Sequence, residues 1–325
     1  MKLREEKYLD EVFVLDKRLE FEIKNFNHIH SYYKGNDKRL FGVFLPGLYY
    51  LNPFALCKFQ VTQELFKNVM GYNPSKFRSY ITSLTEKKYL RPVENVNWFD
   101  CILFCNRLTE ILMGRENCCY KLTDIKYDSE SHVEFMNVDW DTTKKGYRLP
   151  TELEWEFAAR GGNPNQADFC FAYSGIKQSE EIDFAFKQNE NEITTGTPKI
   201  DKNLSKVSWY SDKKNNFFNR LKNFILRKIT FGKYIGFGTH QVGLKSANRL
   251  GLFDMSGNVW EWCFDETNLL PVHEKTETKE RIMRGGGWPN HAYDLCISER
   301  YSLPPEHYEK ENCFSDVGFR VCRSI

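Results

Sequence analysis

Residues 251 to 263, Gly-Leu-Phe-Asp-Met-Ser-Gly-Asn-Val-Trp-Glu-Trp-Cys, place a turn, two tryptophans and two carboxylates in thirteen positions, and few folds accommodate that combination. Asp254, Ser256, Gly257 and Asn258 are turn formers, and from Val259 to Cys263 the chain alternates with the period of a strand. Trp260 and Trp262 then share one face, while Glu261 faces the other way beside Val259 and Cys263. A carboxylate facing a tight turn that already holds Asp254 is either a buried hydrogen-bond acceptor for that turn or a ligand for a hard cation.

A chain of 325 residues can form one large domain with insertions or two ordinary ones, and aromatics at 15% suit many short elements pinned by large side chains. The formal net charge of +2 provides no global field to recruit nucleic acid or an acidic membrane, so any basic contact surface must be local. The first residues carry no apolar signal core, and no apolar run is long enough to cross a bilayer, which leads us to expect a cytoplasmic protein. None of the ten cysteines forms a Cys-x-x-Cys pair. That argues against the common zinc ribbons and thioredoxin-type motifs, and predicts reduced, mostly buried thiols.

Residues 1–40 read as an N-terminal extension with two short strands, one at Val12 to Leu15 and one where Leu19, Phe21 and Ile23 alternate with polar residues. From Phe41 the texture changes to short apolar runs broken by Gly, Pro and Asn, and we take 41–325 as one domain. Three helices stand out within it. Thr62 caps the first, which stops at Gly71, and Asn97 caps the second, whose Cys101, Phe104, Cys105 and Leu108 face inward. Thr151 and Glu154 form a capping box for the third, ended by Gly161 and Gly162. Cys101 and Cys105 lie one turn apart without further ligands, as core residues do. Glu152 and Glu156 near the third helix's N-terminus suit its dipole. Residues 213–238 form a basic, amphipathic insertion in which Phe218, Leu221, Ile225 and Ile229 make a stripe. Residues 217–229 of it are a candidate membrane or partner contact, or a solvated helix packed on its own domain.

Several motifs occur in one order: Phe59-Gln-Val-Thr-Gln, Gly71-Tyr-Asn-Pro-Ser-Lys-Phe, Arg91-Pro-Val-Glu-Asn-Val-Asn-Trp, Tyr147-Arg-Leu-Pro-Thr-Glu-Leu-Glu-Trp, Trp209-Tyr-Ser-Asp, the 251–263 segment, Arg284-Gly-Gly-Gly-Trp and Gly318-Phe-Arg-Val. In this the chain resembles the formylglycine-generating enzyme/sulfatase-modifying factor family. The resemblance implies an α+β, C-type lectin-like fold with short twisted sheets, few helices and much ordered loop. It also implies a calcium site using the side chains of Asp254 and Glu261 and the carbonyls of Gly257 and Val259, all hard oxygen donors.

The generating enzymes oxidise a sulfatase cysteine with O₂ and a copper(I) ion held by two thiolates shortly after the Gly-Gly-Ser-aromatic turn. Here the turn is Gly285-Gly286-Gly287-Trp288, and Asn290 and Leu295 stand at the thiolate positions, where neither binds copper(I). A one-residue slip instead places His291 and Cys296 at that spacing, the weak candidates for a relocated oxidase site. The seven histidines form no cluster of the kind used by the family's iron enzymes. With the scaffold kept and the thiolates lost, we expect a non-catalytic protein that binds a protein or peptide ligand through the 288–317 loop. The contacts expected there are Trp288, Asn290, His291, Tyr293, Asp294, Glu299, Tyr301 and His307, a set rich in rigid aromatics and adaptable polar groups. The same loop position carries the diversified residues in the variable proteins of diversity-generating retroelements, which share the fold.

Overall fold

The computed structural model describes residues 9–23, 47–78, 85–128, 133–176, 203–211, 238–267, 280–307 and 315–325. All three expected helix starts are present. Thr62 Oγ1 accepts from Leu65 N ahead of α1 (Gln63–Met70), and Gly71 closes that helix in the left-handed region. Asn97 and Asp100 cap α2 (Trp98–Met113) reciprocally, and Thr151 and Glu154 do the same for α3 (Glu152–Ala159). A one-turn helix, α4, covers Leu204–Val207.

Among the described residues the strands form two four-stranded sheets and two hairpins. The first sheet has the order β1 (Glu11–Leu15), β4 (Phe54–Cys57), β12 (Cys322–Ser324), β7 (Tyr147–Arg148), with each neighbouring pair antiparallel. The second has the order β10 (Arg300–Leu303), β9 (Glu280–Arg284), β8 (Trp260–Thr267), β11 (Val317–Phe319), in which β8 and β11 run parallel. The hairpins pair β2 (Leu19–Ile23) with β3 (Gly47–Leu51), and β5 (Tyr120–Tyr127) with β6 (Val133–Trp140). Both strands expected in residues 1–40 are therefore present, and they are woven into the fold: β1 extends the first sheet, and Phe21 of β2 packs 5.5 Å from Phe157 of α3. The basic segment expected at 213–238 lies, but for Gly238, outside the described residues.

The main core lies between α1, α2 and the second sheet. Phe66 and Phe104 stack at 5.4 Å, and Phe319 meets Phe104 edge-on at 5.1 Å, each ring wholly buried and worth roughly 2–3 kcal/mol of transfer free energy. Cys101 and Cys105 are fully buried in this core as free thiols, as their helical spacing predicts. Trp262 reaches through it to donate from Nε1 to the Val96 carbonyl, and Trp98 Nε1 donates to Cys263 O. No helix among the described residues is long and apolar enough to cross a membrane.

Candidate functional site

Two buried ionic knots hold the Gly285–Trp288 loop from below. In the first, Arg284 at the end of β9 donates from Nη1 to Glu152 Oε1 at 2.6 Å and from Nη2 to Glu156 Oε2 at 2.7 Å, and it also reaches the Ile297 carbonyl. Arg300 is paired with Glu152, and Arg160 Nη2 with Glu156 Oε1 at 2.7 Å. Glu152 and Glu156 therefore do more than complement the α3 dipole. They are the buried acidic half of a network that ties α3 to β9 and β10, with only Arg300 part-exposed.

The second knot is built on the 251–263 turn. Glu261 accepts from Arg320 Nη2 at 2.8 Å and Gln60 Nε2 at 3.0 Å on Oε1, and from Trp155 Nε1 at 2.7 Å and Arg320 Nε at 3.0 Å on Oε2. The same Gln60 nitrogen faces the carbonyls of Asp254, Gly257 and Val259 at 3.2, 3.3 and 3.1 Å. Asp254 adopts φ 57°, Oδ2 accepts from Gly243 N at 2.8 Å, Oδ1 is buried without a partner, and burial pushes the carboxyl up to about 6.

These residues do not fit calcium in the way the resemblance implied. The expected donors Gly257, Val259 and Glu261 do converge, but on an amide N–H₂ and not on an open position. A nitrogen donor and a cation cannot share that point, and the Glu261 carboxylate is already matched by a guanidinium. Of the residues expected to bind calcium, Asp254, Gly257 and Val259 present carbonyls to Gln60, and Glu261 presents its carboxylate to Gln60 and Arg320.

Above the knots, Asn258 (φ 68°) is a hub. Its N–H donates to Trp209 O, its carbonyl accepts from Trp288 N, and its amide exchanges two bonds with the His240 backbone. His240 stacks on Trp209 at 3.8 Å and meets Glu86 Oε1 through Nδ1 at 2.9 Å. Trp288 is buried, donates from Nε1 to Ser315 O, and meets Phe77 edge-on at 5.4 Å, so it supports the surface from beneath. Asn290 is likewise turned inward, because Oδ1 accepts from Gly287 N at 2.8 Å and Trp260 Nε1 at 3.0 Å.

The other expected contacts divide. Tyr301 is 47% exposed, with its ring 6.0 Å from that of Trp260, and His307 is exposed beside it in sequence on the stretch after β10. His291 donates its backbone N–H to Asp294 Oδ2 and is partly exposed, and the side chain of Tyr293 lies outside what is described. Leu295 and Cys296 turn into an apolar cluster with Tyr173, Ile176, Leu204 and Val207. Burial, reinforced by Glu299, pushes the Cys296 thiol up to about 12, so it is a protonated core thiol at neutral pH. Iodoacetamide at about pH 8 is therefore expected to leave Cys296 unmodified in the folded protein and to label it in denaturant. Labelling in the native state, read by mass spectrometry, would contradict its placement.

Glu299 is pushed up to about 7 by burial and then by Asp294, which burial itself raises. A carboxyl raised in the folded state stabilises the fold most below its ordinary value of 4.5, and that contribution is lost as pH climbs to about 7. Glu299→Gln should therefore match the wild type at about pH 4 and exceed it by on the order of 2 kcal/mol at about pH 8. Urea unfolding at both values checks the sign.

Arg284, Arg320 and Gln60 had no role assigned from sequence, and Asn258 only that of a turn former. For the arginines the available signal was charge within apolar runs: Arg284 follows Ile282-Met283, and Arg320 sits between Phe319 and Val321.

With two short sheets, few helices and a loop-built face, this is a C-type lectin-like fold of the sulfatase-modifying kind. The chain belongs to the sulfatase-modifying factor enzyme 1-like family, whose model matches residues 46–325. It is 32% identical to the chaperone protein LppX of Paenibacillus barcinonensis, over 84% of this chain and 81% of that one. It is also 26% identical to the inactive C-alpha-formylglycine-generating enzyme 2 of Bos taurus, over 57% of this chain and 48% of that protein. Among solved structures, Treponema denticola variable protein 1 superimposes with a TM-score of 0.61 at 27% identity, covering 90% of each chain.

Proposed function

We propose that this chain is a non-catalytic member of the family that binds a protein or peptide ligand on the face built from the loop after Trp288. The observation that carries this reading is what stands at the two thiolate positions. Asn290 is bonded inward to Gly287 and Trp260, and Leu295 is fully buried, so both positions serve packing. The exposed ring of Tyr301, tilted beside that of Trp260, with His291 and His307 near it in the chain, offers rigid aromatic area at low entropic cost. Relatives named as a chaperone, an inactive enzyme and a variable protein support a scaffold kept for recognition.

The test has two arms. The purified protein, given copper(I), O₂ and a sulfatase-type cysteine peptide, should yield no formylglycine, and formation of the aldehyde would overturn the proposal. A photo-crosslinker at Tyr301 or His307 should trap a protein partner in cells, whereas one at exposed Leu48 on the β2–β3 hairpin should not. Equal trapping at the three positions would remove the loop face from the binding role.

A further inference from the structure

We infer that Gln60 and Arg320 together take the place of a divalent cation in the 251–263 turn, so that this turn is held without metal. The four oxygens that surround the Gln60 amide nitrogen are three main-chain carbonyls and one carboxylate oxygen, at 3.0 to 3.3 Å. They come from one reversing segment, Asp254 to Glu261, whose carbonyls point at a common centre and repel one another unless something positive stands there. Gln60 is wholly buried, and its two N–H bonds are shared among those four acceptors. An amide supplies only dipoles, and the formal charge comes from Arg320, also wholly buried, which binds both oxygens of Glu261. Arg320 extends the same function to two further carbonyls, of Cys57 at 2.9 Å and Phe253 at 2.7 Å.

The position of Gln60 explains how one residue can do this. It lies in the Phe59–Val61 segment immediately after β4, where Val61 N donates to Phe319 O and Cys57 N to Val321 O. The link between β11 and β12, which carries Arg320, is thereby held against the segment carrying Gln60, and both side chains reach the turn. An isosteric change of the Gln60 amide to a carboxylate would leave the shape and reverse the chemistry. A fifth oxygen would then stand among four, and only a cation would make that arrangement stable.

The experiment is a comparison of thermal melting in EGTA and in millimolar calcium for the full chain and for Gln60→Glu, with calorimetric titration of calcium into each. The wild type should melt at one temperature in both buffers and show no calcium heat. Gln60→Glu should melt several degrees lower in EGTA and recover on calcium with a single-site heat. A calcium-dependent rise in the wild-type melting temperature overturns the inference. So does a Gln60→Glu protein as stable in EGTA as the wild type, or one destabilised but indifferent to calcium, since the amide would then not stand where an ion can. Should Gln60→Glu not fold in EGTA, the wild-type arm still decides, and Gln60→Met, which lacks both donor and charge, should be destabilised and insensitive to calcium. A Gln60→Met protein as stable as the wild type overturns the inference as well.

Discussion

Arg284→Ala is expected to cost about 3–5 kcal/mol, the range for breaking a buried ion pair from one side. The side chain is fully buried, and its fork holds Glu152 and Glu156 at 2.6 and 2.7 Å while stacking 5.3 Å from the Trp155 ring. Glu152 keeps Arg300 and Glu156 keeps Arg160, yet each would be left with one lone-pair direction facing an empty, water-poor space. Arg284→Lys should rescue little, because a single ammonium cannot reproduce two divergent N–H donors. By contrast, removing Arg249 from its half-exposed pair with Asp168 should cost under about 1 kcal/mol. Urea unfolding of the three variants tests the ordering. An Arg284→Ala protein as stable as the Arg249 variant would show that the knot is not the foundation of the loop.

The second large effect is expected at Gly257. With φ at 99° this residue occupies backbone space that other residues rarely adopt, and a Cβ there would lie 2.4 Å from Ser208 Oγ and 2.5 Å from the Trp209 carbonyl. The serine hydroxyl can rotate, but the Trp209 carbonyl cannot, because it already accepts from Asn258 N. Gly257→Ala combines about 1 kcal/mol of backbone penalty with an overpacking cost of roughly 1–3 kcal/mol. It should displace the turn from Gly285, whose carbonyl accepts from Gly257 N at 2.8 Å. Partner trapping at Tyr301 should then fall further than melting temperature alone accounts for. Trapping that persists undiminished in a folded Gly257→Ala protein would uncouple the turn from the binding face.

What could be read from the chain was local. Thr62, Asn97 and Thr151 cap helices through bonds to residues three positions on, so a short window contains both partners. The alternation that puts Trp260 and Trp262 together is equally local, and both tryptophans do reach partners on the side away from Glu261. The knots were illegible because their members are far apart in sequence. Gln60 meets a turn about two hundred residues later, and Glu152 meets Arg284 across a separation of 132. The resemblance carried the fold correctly, but it carried the calcium ligands without the residue that faces them. Asn290 and Trp288 look like contact residues in a polar loop, and only their bonds to Gly287, Trp260 and Ser315 show that they brace it.

The order of the first sheet also has a consequence for biosynthesis. β12, residues Cys322–Ser324, lies between β4 and β7, and β1 reaches the sheet only through β4. While the ribosome is still adding the preceding residues, β4 and β7 therefore have no strand to join them, and the Phe54–Cys57 edge stays open. The sheet cannot zip progressively behind the exit tunnel. It must close in a single late event after residue 324 emerges, and such long-range closure is slow and exposes unpaired strand edges meanwhile. Translation speed through the codons around β12, and the cell's capacity to shield a waiting strand, thus become determinants of how much of this protein reaches its native state.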